Sequence, residues 1–152
     1  MSITLRPYQQ ELVDGARADL ARHRSILIQA PTGAGKTAIA SFILSGVAER
    51  GKRGFFVVHR QELIDQTALT FDKVGVDYSF IASGYPHNPD APIQICSIGT
   101  LTRRVPGRVV EPDLCIWDEA HHVAAKGWAT VHDAWQTAFH VGLSATPERL
   151  DG

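Results

Sequence analysis

The stretch Ala30-Pro31-Thr32-Gly33-Ala34-Gly35-Lys36-Thr37 constrains the fold of this chain most tightly. An apolar run, Ile26-Leu27-Ile28, leads into it. A helical pattern leaves it, with Ile39, Phe42, Ile43 and Val47 on one face and Gly51 as its stop. A strand that turns sharply through glycines into a helix points backbone N–H groups inward at the helix N-terminus. Gly33 and Gly35 permit that turn and let anionic oxygens approach the backbone. The helix dipole and its free N–H groups favour negative charge there. Lys36 adds a mobile cation for β- and γ-phosphates, and Thr37 adds a hydroxyl suited to a hard metal ion. Thr32 and Ala34 complete the loop. Ala30 stands where the usual pattern has glycine, which leaves the Gly-Lys-Thr core intact.

A phosphate loop needs a parallel sheet to carry it, and the rest of the chain supplies the pattern. Pro7 to Arg22 reads as a helix, with Pro7 in its first turn and Gln9, Val13, Ala16 and Leu20 inward. Phe55 to Val58 reads as a strand, followed by a helix from about Gln61 to Val74. Asp77 to Ile81 and Ile93 to Ile98 read as strands flanking a loop rich in proline and glycine. A turn or short helix follows around Thr100 to Arg104. Leu114 to Trp117 is an apolar strand, Trp128 to Ala138 a helix, and Val141 to Leu143 the last strand. Several strands are apolar on both faces, including Ile26 to Ile28, as expected of a parallel sheet covered by helices on both sides. The 152 residues fit one compact α/β domain.

The second chemical feature is Trp117-Asp118-Glu119-Ala120-His121, about 80 residues after the loop. Two acids at the end of an apolar strand suit magnesium chemistry. Asp118 holds the metal through its water shell, and Glu119 polarises a water that attacks the γ-phosphate. Zinc held by His121, His122 and Cys115 is the competing reading, and it lacks metal-ligand spacing. The cofactors expected are therefore a nucleoside triphosphate and Mg²⁺.

The motifs Ala30 to Thr37, Asp118-Glu119-Ala120-His121 and Ser144-Ala145-Thr146 resemble, in order and spacing, the first motor domain of superfamily-two helicases and translocases. They are most similar to the DEAH branch shared with restriction-enzyme motor subunits. The resemblance covers nearly the whole chain and implies a RecA-like nucleoside-triphosphatase fold, residues 1–152 forming one ATP-binding domain. It implies that Gln9, in Leu5-Arg6-Pro7-Tyr8-Gln9, reads the adenine edge, with Arg6 beside the ring, which favours ATP. It implies that Arg60 touches a nucleic-acid backbone, and that Thr100 with Arg103 and Arg104 does the same. A solvated charge cluster weighs equally for the two arginines, and Gly99 stands where related chains often carry glutamine. Ser144, Ala145 and Thr146 would couple the nucleotide site to nucleic acid, and His121 would face a partner motor domain.

The net charge of -1 excludes a body held to nucleic acid by bulk charge, so any contact is local. DNA is favoured over RNA by the resemblance alone. The second RecA-like domain of such motors is not found in the 152 residues, so weak nucleotide binding and negligible turnover are expected of them alone. A stand-alone nucleotide-binding module and a different phosphate-loop class, such as a kinase or GTPase, are the competing functions. Cys96 and Cys115 sit in apolar runs and read as reduced, buried thiols. No apolar run approaches the roughly 20 residues of a membrane span, and a cytoplasmic protein is expected.

Overall fold

The computed structural model describes residues 5–30, 35–104, 109–118 and 125–145. Its elements are α1 (Pro7–Leu20), β1 (Ser25–Ala30), α2 (Lys36–Glu49), β2 (Gly54–Val58), α3 (Leu63–Val74), β3 (Tyr78–Ile81), β4 (Ile93–Ser97), α4 (Ile98–Arg104), β5 (Leu114–Trp117), α5 (Ala125–Ala134) and β6 (Phe139–Ala145). The six strands form one sheet in the order β1-β6-β5-β2-β4-β3, and every pairing is parallel. This is the parallel α/β sheet that the strand–loop–helix punctuation predicts, and it agrees with the RecA-like fold that the resemblance implies.

Alternation along the strands builds two cores. Ile28, Val141, Leu143, Leu114, Ile116, Phe56, Val58, Ile93 and Ile95 face one side, where Val13 and Ala16 of α1, Ile39, Ile43 and Leu44 of α2, and Ile64 and Phe71 of α3 cover them. Phe55, Val57, Ile81, Cys96, Cys115 and Trp117 face the other side, beneath Leu101 of α4 and Val131 of α5, with Trp135 and Ala138 just beyond. Central strands buried on both faces need apolar side chains in both parities, and β2, β4 and β5 are buried throughout.

Local chemistry sets the element ends. Pro7 opens α1, and the Gln9 side chain accepts the Arg6 backbone N–H at 2.9 Å. Gly75 closes α3 in the left-handed region at φ 89°, where the amides of Gly75 and Val76 both donate to the Phe71 carbonyl. Both cysteines are buried free thiols. Burial pushes both thiols well up, so they stay protonated at neutral pH.

Two expectations change. The run Ile26-Leu27-Ile28 is not buried throughout, because β1 is an edge strand: Leu27 is 57% exposed on the face opposite Ile28, while Ile28 is buried. The helix expected over Trp128 to Ala138 lies earlier, at Ala125–Ala134, and Trp135 to Ala138 form the turn that feeds β6. Trp135 still enters the core, edge-on to Phe55 with ring centres 5.2 Å apart.

Helix α2 lies tightly on the start of β2. A Cβ added at Gly54 would stand 2.5 Å from Leu44 Cδ2 and 3.3 Å from Ile93 Cδ1, both on fully buried side chains. Gly54→Val is therefore expected to lower stability by about 1–3 kcal/mol through overpacking. Urea unfolding measures it, and an unchanged midpoint would contradict this packing.

Candidate functional site at the C-terminal edge of the sheet

Because all six strands run the same way, each delivers its chain to the same edge. β1 ends at Ala30, where the glycine loop begins, and β6 ends at Ala145, its register partner. Ser144 lies opposite Gln29. Trp117, the last residue of β5, lies opposite Gly142 of β6 and Val57 of β2. Asp118 follows at once, 9% exposed, its backbone N–H donating to the Val57 carbonyl at 2.9 Å. β6 is thus the only strand between the phosphate loop and the acidic end of β5. Two steps across a sheet span roughly 10 Å, a distance that phosphates and a hydrated cation can bridge.

Gly35 is the N-cap of α2 and sits in the left-handed region at φ 76°. Lys36 and Thr37 open the helix, both half-buried, and the Ile39 amide donates to the Gly35 carbonyl at 3.0 Å. The Gln9 carboxamide rests directly on this cap. A Cβ on Gly35 would lie 2.6 Å from Gln9 Nε2. Gln9 is 7% exposed, while Arg6 is exposed beside it. The structure therefore gathers Gln9, Gly35, Lys36, Thr37, Asp118 and Ser144 along one stretch of edge. Thr32, Gly33, Ala34, Glu119, Ala120, His121 and Thr146 lie outside the described residues, as do the side chains of Ala30 and Ala145.

The other half of the edge belongs to β2, β4 and β3. Arg60 follows β2 and is exposed. α4 follows β4 and carries Arg103, exposed, and Arg104, half-buried. Thr100 is not positioned to meet a backbone phosphate directly: it is 3% exposed, and its hydroxyl accepts from Arg103 at 3.4 Å. Its amide is capped by Ser97 Oγ at 3.2 Å.

Two further residues, Gln61 and Ser83, link these pieces. Gln61 donates to the Ser83 carbonyl at 3.0 Å, and Arg103 reaches Ser83 Oγ at 3.4 Å. Ser83 follows β3, so the segments after β2, β3 and β4 meet at one residue. Ser83-Gly84 reads as an ordinary loop in sequence. Its place becomes visible only once β3 is known to pair outside β4.

A cleft of about 370 Å³ lies at the opposite end of the sheet. Its lining includes Arg17, Val47, Arg50, Leu114 and Phe139. It touches neither the glycine cap nor the acidic strand end. Among the described residues, no three His, Cys, Asp or Glu side chains gather into a metal-binding group. No helix among them is long and apolar enough to cross a membrane.

Comparison with known proteins agrees with this architecture. Residues 2–149 match the family described as type III restriction enzyme, res subunit. The DNA 3'-5' translocase XPB2 of Sulfurisphaera tokodaii is 32% identical over 151 residues, covering 99% of this chain and 32% of that protein. The UvsW helicase from bacteriophage T4 superposes with a TM-score of 0.77 at 22% identity, covering 93% of this chain and 52% of that one. The Sulfolobus solfataricus SWI2/SNF2 ATPase core, solved with double-stranded DNA, gives 0.81 at 17% identity over 97% of this chain and 33% of that one. The chain spans between a quarter and a third of the length of the curated relatives it matches.

The Gln9–Gly35 contact makes a specific prediction. Gly35→Ala places a Cβ both in a left-handed backbone and against the Gln9 amide, and costs about 1–2 kcal/mol. Adding Gln9→Ala to it removes the steric part and leaves the backbone part, so the two changes are non-additive. Thermal unfolding of the singles and the double decides the point; strictly additive losses would show that the side chain does not rest on this cap.

Proposed function

The chain belongs to the family of type III restriction enzyme res subunits, as a RecA-like domain of the superfamily-two helicase and translocase class, and from that membership we propose that it binds MgATP and DNA on adjoining halves of one sheet edge. The observation that carries this reading is the shared edge itself. Gly35, Lys36 and Thr37 stand at the end of β1, Asp118 at the end of β5, and Ser144 between them on β6.

In this reading the amides of Thr32 to Gly35 and the Lys36 ammonium hold the β- and γ-phosphates. Gln9, held against Gly35, turns its carboxamide to the adenine edge, and Arg6 flanks the ring. The oxygen donors Thr37 and Asp118 suit a small hard cation, and Asp118 stands at the strand end nearest the loop across β6. Thr37 would ligate magnesium through its hydroxyl and Asp118 through water. When bound, the ion neutralises and orients phosphate oxygens for displacement. Glu119 accepts a proton from the attacking water. Ser144 and Thr146 hydrogen-bond the acidic strand end and relay its state along β6. His121 faces the partner motor domain.

On the adjoining half, Arg60 and Arg103 neutralise backbone phosphates, with Ser83 and Thr100 holding Arg103 in place. Arg104 adds a third positive group nearby. DNA is the proposed track because one relative is named a DNA translocase and one structural neighbour was solved with double-stranded DNA. A second RecA-like domain closes the cleft and brings an arginine worth on the order of 10³–10⁵ in rate in related nucleotide hydrolases.

Two measurements test this. Calorimetry should show MgATP binding that Lys36→Ala weakens on the order of tenfold or more, through loss of a charge-assisted phosphate contact. Equal affinity in both chains would remove the phosphate-loop assignment. Arg60→Ala with Arg103→Ala should weaken DNA binding alike on unrelated sequences and reduce the slope of log affinity against log salt by about 2, near one per lost phosphate contact. A slope unchanged by the pair, or tighter binding to RNA of the same length, would count against the proposed track.

A further inference from the structure

On the α5 side of the sheet, level with Cys115 of β5, lies a buried imidazole that the nucleotide chemistry does not use. His140 of β6 is 2% exposed. Its Nδ1 lies 3.0 Å from Trp117 Nε1, and its Nε2 lies 3.1 Å from the Trp135 carbonyl. An indole N–H can only donate, so Nδ1 must accept. The ring proton of the neutral imidazole is then on Nε2, where it is donated to Trp135. Both ring nitrogens are thus satisfied in one tautomer, and the ring is locked at both ends. The two rings also stack, with an interplanar angle of 26°. Trp117 is itself fully buried, and Gly142, directly opposite it on β6, adds no side chain there.

We propose that His140 is a positioning residue for the nucleotide site: by bridging Trp117 and Trp135 it fixes the end of β5 from which Asp118 leaves the sheet. The proposal rests on the MgATP reading given above. Trp117 immediately precedes Asp118, so any swing of the indole moves the backbone on which the carboxylate is carried. β6 is also the strand that carries Ser144. One imidazole therefore ties together β5, β6 and the turn after α5. An aliphatic side chain at 140 would fill the space but take away the acceptor that His140 offers the Trp117 indole and the donor it offers the Trp135 carbonyl, which otherwise receives the Ala138 amide at 3.4 Å.

A protonated ring cannot make this bridge, because Nδ1–H would face the indole N–H. The surroundings oppose protonation. The His132 ring of α5 lies tilted against His140, with ring centres 4.4 Å apart. Arg24 before β1 and Asp133 of α5 line the small cavity that His140 also borders. Cys115, its register partner on β5, stays a neutral thiol, and Glu111 before β5 is the acidic group that favours the charged form. Burial outweighs the rest and holds the His140 pKa below the ordinary 6.5. The sign follows: the neutral bridge contributes stability that is complete above about pH 6.5 and is lost as pH falls through the lower folded-state value.

The test compares wild type, His140→Phe and His140→Gln. Phenylalanine keeps the shape and removes both hydrogen bonds. Glutamine retains one acceptor and one donor and does not titrate. Binding of MgATP, and of ATP in chelator, is measured by calorimetry at about pH 7.5 and about pH 5.5, either side of the ordinary histidine value. Wild type is expected to bind MgATP more tightly than metal-free ATP. His140→Phe should weaken MgATP about tenfold, the loss typical when a group supporting a metal ligand is removed, while metal-free ATP binding is unchanged. On acidification wild type should lose more MgATP affinity than His140→Gln, which shares every other titrating group.

The Trp117 indole N–H resonance supplies a readout independent of nucleotide. It should shift in His140→Phe and in acidified wild type, and hold in His140→Gln. Equal MgATP affinity in wild type and His140→Phe, or matching pH profiles in wild type and His140→Gln, would overturn the proposal. If His140→Phe does not fold, the glutamine comparison decides alone. Wild type that binds no MgATP at all would defeat the nucleotide reading instead, a result distinct from binding that the variants leave unchanged.

Discussion

Parallel pairing of β1 with β6, and of β6 with β5, is the constraint on which everything else in this molecule depends. It sends the glycine loop, Ser144 and Asp118 out of the same edge, with one strand between loop and carboxylate. An antiparallel partner at either position would send one of these groups to the far end of the sheet. The parallel arrangement demands burial of the central strands on both faces, and the sequence meets it with apolar residues in both parities through β2, β4 and β5. Chemistry and packing are therefore satisfied by the same pattern.

At the loop, the constraint narrows to a single backbone position. Gly35 occupies a left-handed conformation and has the Gln9 amide lying on it. Both conditions exclude a side chain, for independent reasons. The contact joins α1, which precedes the sheet in sequence, to the N-terminus of α2, where anions are favoured. Gln9 is placed there by its own helix start, since its Oε1 caps the Arg6 amide while its Nε2 meets the glycine. One side chain thus ends a helix and frames the phosphate site.

Much of this was legible in the residues. Strand–glycine–helix punctuation located β1 and α2. Proline at the start of α1 and glycine after α3 marked helix ends within a few residues, because each acts through its own backbone. What escaped the sequence depends on which strands become neighbours. Leu27 looks like its apolar companions, yet it is exposed because β1 lies at the sheet edge. Thr100 looks like a surface hydroxyl, yet it is buried behind Arg103. Ser83 gains its place only from β3 pairing beyond β4. His140 and Trp117 are 23 residues apart, and nothing local announces that their rings share a hydrogen bond.

The account makes the edge formed by β1, β6 and β5 the nucleotide site, in preference to the cleft at the other end of the sheet. The most direct test is a map of backbone-amide resonances during titration with MgATP. Shifts concentrated at Gln9, Gly35 to Thr37, Asp118 and Ser144 are the predicted result. Shifts concentrated at Arg17, Arg50 and Phe139, around the opposite cleft, would contradict it.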